Sequence, residues 1–133
     1  RSRVVDFIKS ATKSVLVESM QLSDTSVREA LADRAAAGVD VKVILADPRW
    51  ITANKTAAKY LTDAGAAVRS MSSLDVHTKS IVVDDAKVYL GSENFTYVSF
   101  YQNREVGLVA TEKANATLMA DTFDHDWNGA SPF

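Results

Sequence analysis

Hydrophobic positions along this chain alternate between a helical and a strand period. Val4, Ile8 and Ala11 share one helical face, which predicts a helix over 4–11. The run "SVLVESM" at 14–20 reads as a strand. Asp24 or Thr25 can cap a helix that carries Val27, Leu31 and Ala35 and stops at Gly38. "VDVKVILA" at 39–46 alternates and then becomes continuously apolar, as a strand buried on both faces does. After a loop, "DPRWITANK", Ala57, Tyr60, Leu61 and Ala64 predict another one-faced helix ending at Gly65, and "AAVRSM" at 66–71 a short strand. The unit helix, glycine, strand thus occurs twice, the signature of a parallel sheet covered by helices.

The second half has a different pattern. "HTKSIVVD" and "KVYLGS" flank Asp85-Ala86, which reads as a tight hairpin connection. "REVGLVAT" at 104–111 is a further strand, and a last helix is predicted over 112–127, with Met119, Phe123 and Trp127 at i+4 spacing. The expected fold is an α/β/α sandwich on a mixed, largely parallel sheet, with the hairpin as its distinctive element.

Composition adds limits. The chain has 133 residues, 47% hydrophobic and 24% charged, which suits one domain spanning 1–133. No apolar run approaches the roughly 20 residues that cross a bilayer. There is no cysteine, so disulfides and thiolate metal sites are excluded, and the compartment is unspecified. The net charge is -2, and no run of basic residues advertises a phosphate-backbone grip.

The hairpin is where the chemistry collects. On a regular strand His77 and Lys79 point the same way, about 7 Å apart, whereas Asp84 points to the opposite face. A lone buried lysine costs several kcal/mol, so Lys79 should face an open or anionic space. Taken alone, the pair reads as an exposed edge-strand face, and "GSEN" as a solvated turn. Together they differ, because the hairpin brings Gly91, Ser92 and Asn94 back beside His77 and Lys79. A cation, two neutral donors, an imidazole and a glycine permitting close backbone approach suit a tetrahedral oxyanion. His125, with Asp121, Asp124 and Asp126 around it, lies off the apolar stripe of the last helix and reads as a solvated surface, not a metal site. Trp50, Phe100 and Tyr101 read equally as substrate contacts or as packing.

The spacing H-x-K-x4-D, matched by His77, Lys79 and Asp84, followed by G-S-x-N at Gly91, Ser92 and Asn94, resembles the phospholipase D superfamily and its HKD motif. "GVDVKVILAD", "NREVGLVAT" and "FDHDW" sit where a repeat of that family has comparable segments. The resemblance implies that His77 attacks phosphorus to form a phosphohistidine, and that Lys79, Ser92 and Asn94 hold the nonbridging oxygens. It further implies that Glu105 orients His77, that Asp84 and Gly91 are structural, and that no metal or cofactor takes part. The family uses two motifs, one histidine attacking and the other protonating the leaving group. The second is expected from a homodimer partner or from a second repeat in a longer chain. The strand that precedes the first helix in such repeats is missing here. The expected function is phosphodiester hydrolysis or phosphatidyl transfer on phospholipid. The alternatives are a single-motif endonuclease acting as a homodimer and a noncatalytic HKD interaction domain.

Overall fold

Asp24 begins the regular half of the fold. Its side chain accepts the N–H of Val27 at 3.1 Å and caps α2 (Thr25–Ala36). In the computed structural model, which describes residues 1–133, α2 and α3 (Asn54–Asp63) each end in a left-handed glycine, Gly38 at φ 84 and Gly65 at φ 96. Val39 and Ala66 then donate back to the carbonyls of Arg34 and Leu61, which satisfies the last turn of each helix and turns the chain into the next strand. Those strands, β2 (Asp40–Ala46) and β3 (Ala67–Met71), lie parallel to each other, and β2 lies parallel to β1 (Ser14–Ser19), which follows α1 (Ser2–Lys9).

The remaining strands are β4 (Lys79–Val83), β5 (Lys87–Gly91), β6 (Gly107–Ala110) and the short β7 (Ser131–Pro132). The sheet order is β6-β5-β4-β1-β2-β3-β7. The mixed α/β/α sandwich is as the pattern predicts, but the parallel share is smaller. Only β1–β2 and β2–β3 pair in parallel, and every other neighbour is antiparallel. The physical reason is the connection. Strands joined through a covering helix return in the same direction, whereas β4 enters from a loop at the carboxyl edge and β5 from a tight turn.

One face of the sheet buries Val15, Val17, Val43, Ile81 and Val83 against α1, α2 and α3, with Leu31 and Leu61 fully enclosed. The other face is covered by α5 (Lys113–Gly129), whose Ala116 and Phe123 pack on Val82, Val88 and Ile44. The expected stripe holds, since Met119 and Trp127 also pack there. A five-residue helix, α4 (Tyr97–Tyr101), and the edge strand β7 had no counterpart in the sequence pattern.

Asn54 falls in the stretch whose pattern reads as a loop, yet it is fully buried at the start of α3. Its Oδ1 accepts the Leu22 N–H at 3.2 Å, and its Nδ2 donates to the carbonyls of Met20 at 2.9 Å and Ala46 at 3.0 Å. It therefore ties the exit of β1 to the end of β2 and holds the carboxyl edge of the parallel strands together. Asn54→Ala is expected to lower unfolding free energy by about 2–4 kcal/mol, because buried backbone groups lose their partners. Urea denaturation measures it, and a loss below about 1 kcal/mol would contradict the assignment.

Candidate active site

The hairpin turn lies one residue earlier than the pattern suggested. Asp84 and Asp85 are its left-handed residues, at φ 57 and φ 49, and Ala86 donates to the Val83 carbonyl at 3.0 Å. Positive φ at both positions matches the twist of the flanking strands, and Asp tolerates that region better than most residues. The turn sets the register Ser80↔Leu90, Ile81↔Tyr89, Val82↔Val88. Continued by one pair, this register puts Gly91 opposite Lys79, so the G-S-x-N segment starts beside the H-x-K segment.

Asp84 follows the far end of β4 from Lys79, roughly 16 Å away along the strand. Its carboxylate accepts the N–H groups of Thr12, Lys13 and Ser14, at 2.7 Å for Lys13, and the Thr12 hydroxyl. It thereby pins the loop between α1 and β1 to the hairpin. The expected placement away from the site stands, but the cause is the turn conformation and not strand alternation.

His77 precedes β4 and lies in an exposed segment after the loop from β3. Lys79, the first residue of β4, is only 6% exposed. Its Nζ donates to the His77 carbonyl at 2.7 Å and lies 2.9 Å from Nδ1 of the same imidazole. Burial pushes the Lys79 ammonium below the usual lysine range, and the Glu105 carboxylate opposes that shift. No hydrogen bond joins Glu105 to the His77 ring, and its charge acts through space on Lys79.

Glu105 stands just before β6 and is held on both oxygens. Ser92 Oγ donates to Oε2 at 2.6 Å, and Asn103 Nδ2 donates to Oε1 at 3.1 Å. These two bonds, the serine's first, hold the carboxyl below the usual glutamate range, with Lys79 adding to the effect. Ser92 Oγ also accepts the Val106 N–H at 3.1 Å. Asn94 forms no side-chain hydrogen bond within the chain, and its Oδ1 is buried without a donor, leaving the amide nitrogen open. Asn103 is not among the expected site residues. Its spacing of two from Glu105 was the available signal.

Gly91 has a reason the sequence did not reveal. A β-carbon there would collide with the phenol of Tyr89, and one at its partner Gly107 would strike the same ring. The glycines thus make room for an aromatic lid over the sheet edge. The Tyr89 hydroxyl is buried without a partner, and burial, then the nearby Glu93 and Glu105 carboxylates, keep its proton on.

Glu18 is a second buried carboxyl that sequence reasoning missed. It is 5% exposed on the α5 face, and burial raises its pKa against the lowering effect of the Thr78 hydroxyl. His125 lies on α5, behind the sheet from Lys79, and no three His, Asp or Glu side chains converge into a ligand set. Trp50 is 44% exposed on the loop after β2, Tyr101 is 50% exposed on α4, and Phe100 packs against the core beside Phe95.

Fold and cluster define a class: an α/β/α sandwich whose oxyanion-type donors meet at one sheet edge. The profile of the family described as "Cardiolipin synthase, PLD-like domain" matches residues 4–127, and the chain belongs to the phospholipase D superfamily. It is similar to phospholipase D Y of Dictyostelium discoideum, 30% identical over 110 residues, which cover 76% of this chain and 24% of that protein. It is 28% identical to the cardiolipin synthase of Listeria welshimeri over 127 residues, 92% of this chain and 26% of that one. The chain thus spans about a quarter of the length of these curated relatives. Among solved structures, the phospholipase D family member Nuc from Salmonella typhimurium superposes with a TM-score of 0.92 at 28% identity, covering 100% of this chain and 90% of that one.

Asp84→Asn keeps a residue that tolerates positive φ but removes the charge that gathers three N–H groups. It should cost about 1.5–3 kcal/mol at neutral pH. Burial by itself would raise the Asp84 pKa, but the bonds from Ser14, Lys13 and Thr12 outweigh it and the folded value is lowered. A depressed folded pKa gives stability that is complete above the unfolded pKa of about 3.9 and is lost as pH falls through the lower folded value. The difference between wild type and variant should stay constant from neutral pH to about 5 and shrink below about 4. Urea unfolding at a series of pH values reads it, and a difference that persists undiminished at the acid end would refute this role.

Proposed function

We propose that the chain is a phosphodiester hydrolase or transferase acting through a phosphohistidine on His77, with phospholipid as substrate. The observation that carries this reading is the buried Lys79 ammonium lying 2.9 Å from the imidazole of an exposed histidine, at the end of the sheet where Asn94 offers a free amide. In the first step a ring nitrogen of His77 bonds to phosphorus while the bond to the leaving alcohol breaks. Lys79 and Asn94 hold the nonbridging oxygens as their charge grows. In the second, water or an alcohol attacks phosphorus, the P–N bond breaks, and the histidine is restored. The lipid assignment draws on the cardiolipin synthase and phospholipase D relatives.

The leaving alkoxide needs a proton, and the only other histidine, His125, lies behind the sheet. A second HKD motif is therefore part of the proposal, supplied by a second copy or a second repeat. The surface beside the site suits such a partner. Leu108 and Val109 are 55% and 52% exposed on the edge strand β6, which pairs only with β5, Val106 just before it is 75% exposed, and Tyr97, Val98 and Tyr101 of α4 are also half exposed. An open apolar edge of this kind invites pairing.

His77→Asn should abolish hydrolysis of bis(p-nitrophenyl) phosphate while the unfolding curve is retained, and wild type quenched by denaturation in alkali should carry a phosphohistidine signal in ³¹P NMR. Full turnover in the variant rules out the covalent route. Turnover should also survive EDTA, because the scheme uses Lys79 and an amide where a metal would otherwise hold the phosphoryl oxygens. A chelation loss restored by a divalent cation counts against it.

A shared site requires an interface on the order of 1,200 Å² or more. Leu108→Lys should convert a dimer to monomers in sedimentation and remove turnover with the circular dichroism unchanged. An active wild type that sediments as a monomer would defeat the shared site. The endonuclease reading is favoured by one observation, the 90% coverage of the single-domain Nuc chain. It predicts single-stranded DNA binding that falls with salt at a log–log slope of about -0.7 per phosphate contact. The lipid reading predicts no such binding.

A further inference from the structure

We infer that Ser92 is a positioning residue that, together with Asn103, clamps the Glu105 carboxylate, and that it does not bind the phosphoryl group. The inference rests on the proposed phosphoryl site and narrows which residues form it. A serine hydroxyl has one proton to give. Here that proton goes to Glu105 Oε2 at 2.6 Å, the short distance of a hydroxyl–carboxylate bond. The oxygen in turn receives the Val106 N–H at 3.1 Å, and the Ser92 N–H bonds the Val106 carbonyl at 2.9 Å. Ser92 is thus locked to the start of β6 through its backbone and its side chain, with both functions of the hydroxyl used. Asn94 is the opposite case, since its amide has no partner in the chain.

The clamp has a consequence for charge. Asn103 takes the second carboxylate oxygen at 3.1 Å, so the plane of Glu105 is fixed from both sides. A carboxylate fixed in this way holds its negative charge where it favours the charged form of the desolvated Lys79, acting through space and not as an ion pair. The order of action is Ser92 and Asn103 on Glu105, Glu105 on Lys79, and Lys79 with Asn94 on phosphate. Glu105 must be ionised to act, and anything that raises its pKa weakens that action at low pH.

The test compares Ser92→Ala, Asn103→Ala and Asn94→Ala, using inorganic phosphate as the ligand and ¹³C NMR of the Glu105 carboxyl as a second readout. Ser92→Ala should leave the phosphate dissociation constant within about twofold, because no ligand bond is removed. It should shift the Glu105 titration upward and lower kcat by about tenfold or more with KM little changed. Ser92→Thr, which keeps the hydroxyl, should restore both. Asn103→Ala, at an exposed position, should shift Glu105 in the same direction and keeps the test intact if Ser92→Ala does not fold. Asn94→Ala should weaken phosphate by about tenfold or more and leave the Glu105 titration in place. Ser92→Ala weakening phosphate as Asn94→Ala does would overturn the inference, and so would an unmoved Glu105 titration. The NMR titration and the phosphate affinity need no turnover, so they decide this point even if His77→Asn shows that the covalent route is wrong.

Discussion

The register of the β4–β5 hairpin is the constraint on which the site depends. Two consecutive left-handed aspartates set it, and the Asp84 carboxylate fastens the turn to the loop between α1 and β1. A slip by one residue would send Lys79 to the α5 face and separate it from the G-S-x-N segment, because side chains alternate along a strand. The segment beyond β5 is seated as firmly. Phe95, fully buried, donates to Gln21 and accepts from Ser23 and Asp24, so the chain after Gly91 docks on the chain after β1. The two motif halves are thus held from four directions before any ligand arrives.

Within that frame the energetics centre on one buried cation. Removing an ammonium from water is costly, and the His77 carbonyl, the His77 ring and the Glu105 charge offset part of that loss for Lys79. Glu105 itself stands at the rim, where solvent would weaken a free carboxylate, and its two hydrogen bonds replace mobility with a fixed orientation. A preorganised charge of this kind is worth most where charge develops on a substrate. The Tyr89 ring over Gly91 and Gly107 closes the floor beneath the network and packs on Phe7 and Phe95.

The sheet also explains where the site can be. β1, β2 and β3 run parallel and end at the edge where β4 and β6 begin and β5 ends, so loops and strand ends converge there. The apolar edge strand β6, paired only with β5, lies at one border of this edge, next to Glu105. The site and the surface suited to a second motif are therefore neighbours by topology.

Much of this was legible in the chain itself. The helix–glycine–strand units, the cap at Asp24 and the buried strands follow from periodicity and backbone sterics, which act over a few residues and leave a local signature. The H-x-K and G-S-x-N segments were readable for the same reason, since the residue types and the intervening turn are local. What only the tertiary structure decided involves partners distant in sequence. Asn54 reads as a loop residue until the ends of β1 and β2 surround it, and Gly91 as a ligand contact until the Tyr89 ring and Gly107 are in place. The parallel share of the sheet depends on how β4 enters, which no periodicity encodes. Ser92 reads as a free hydroxyl because the carboxylate that takes its proton lies 13 residues away and meets it only when β6 pairs with β5.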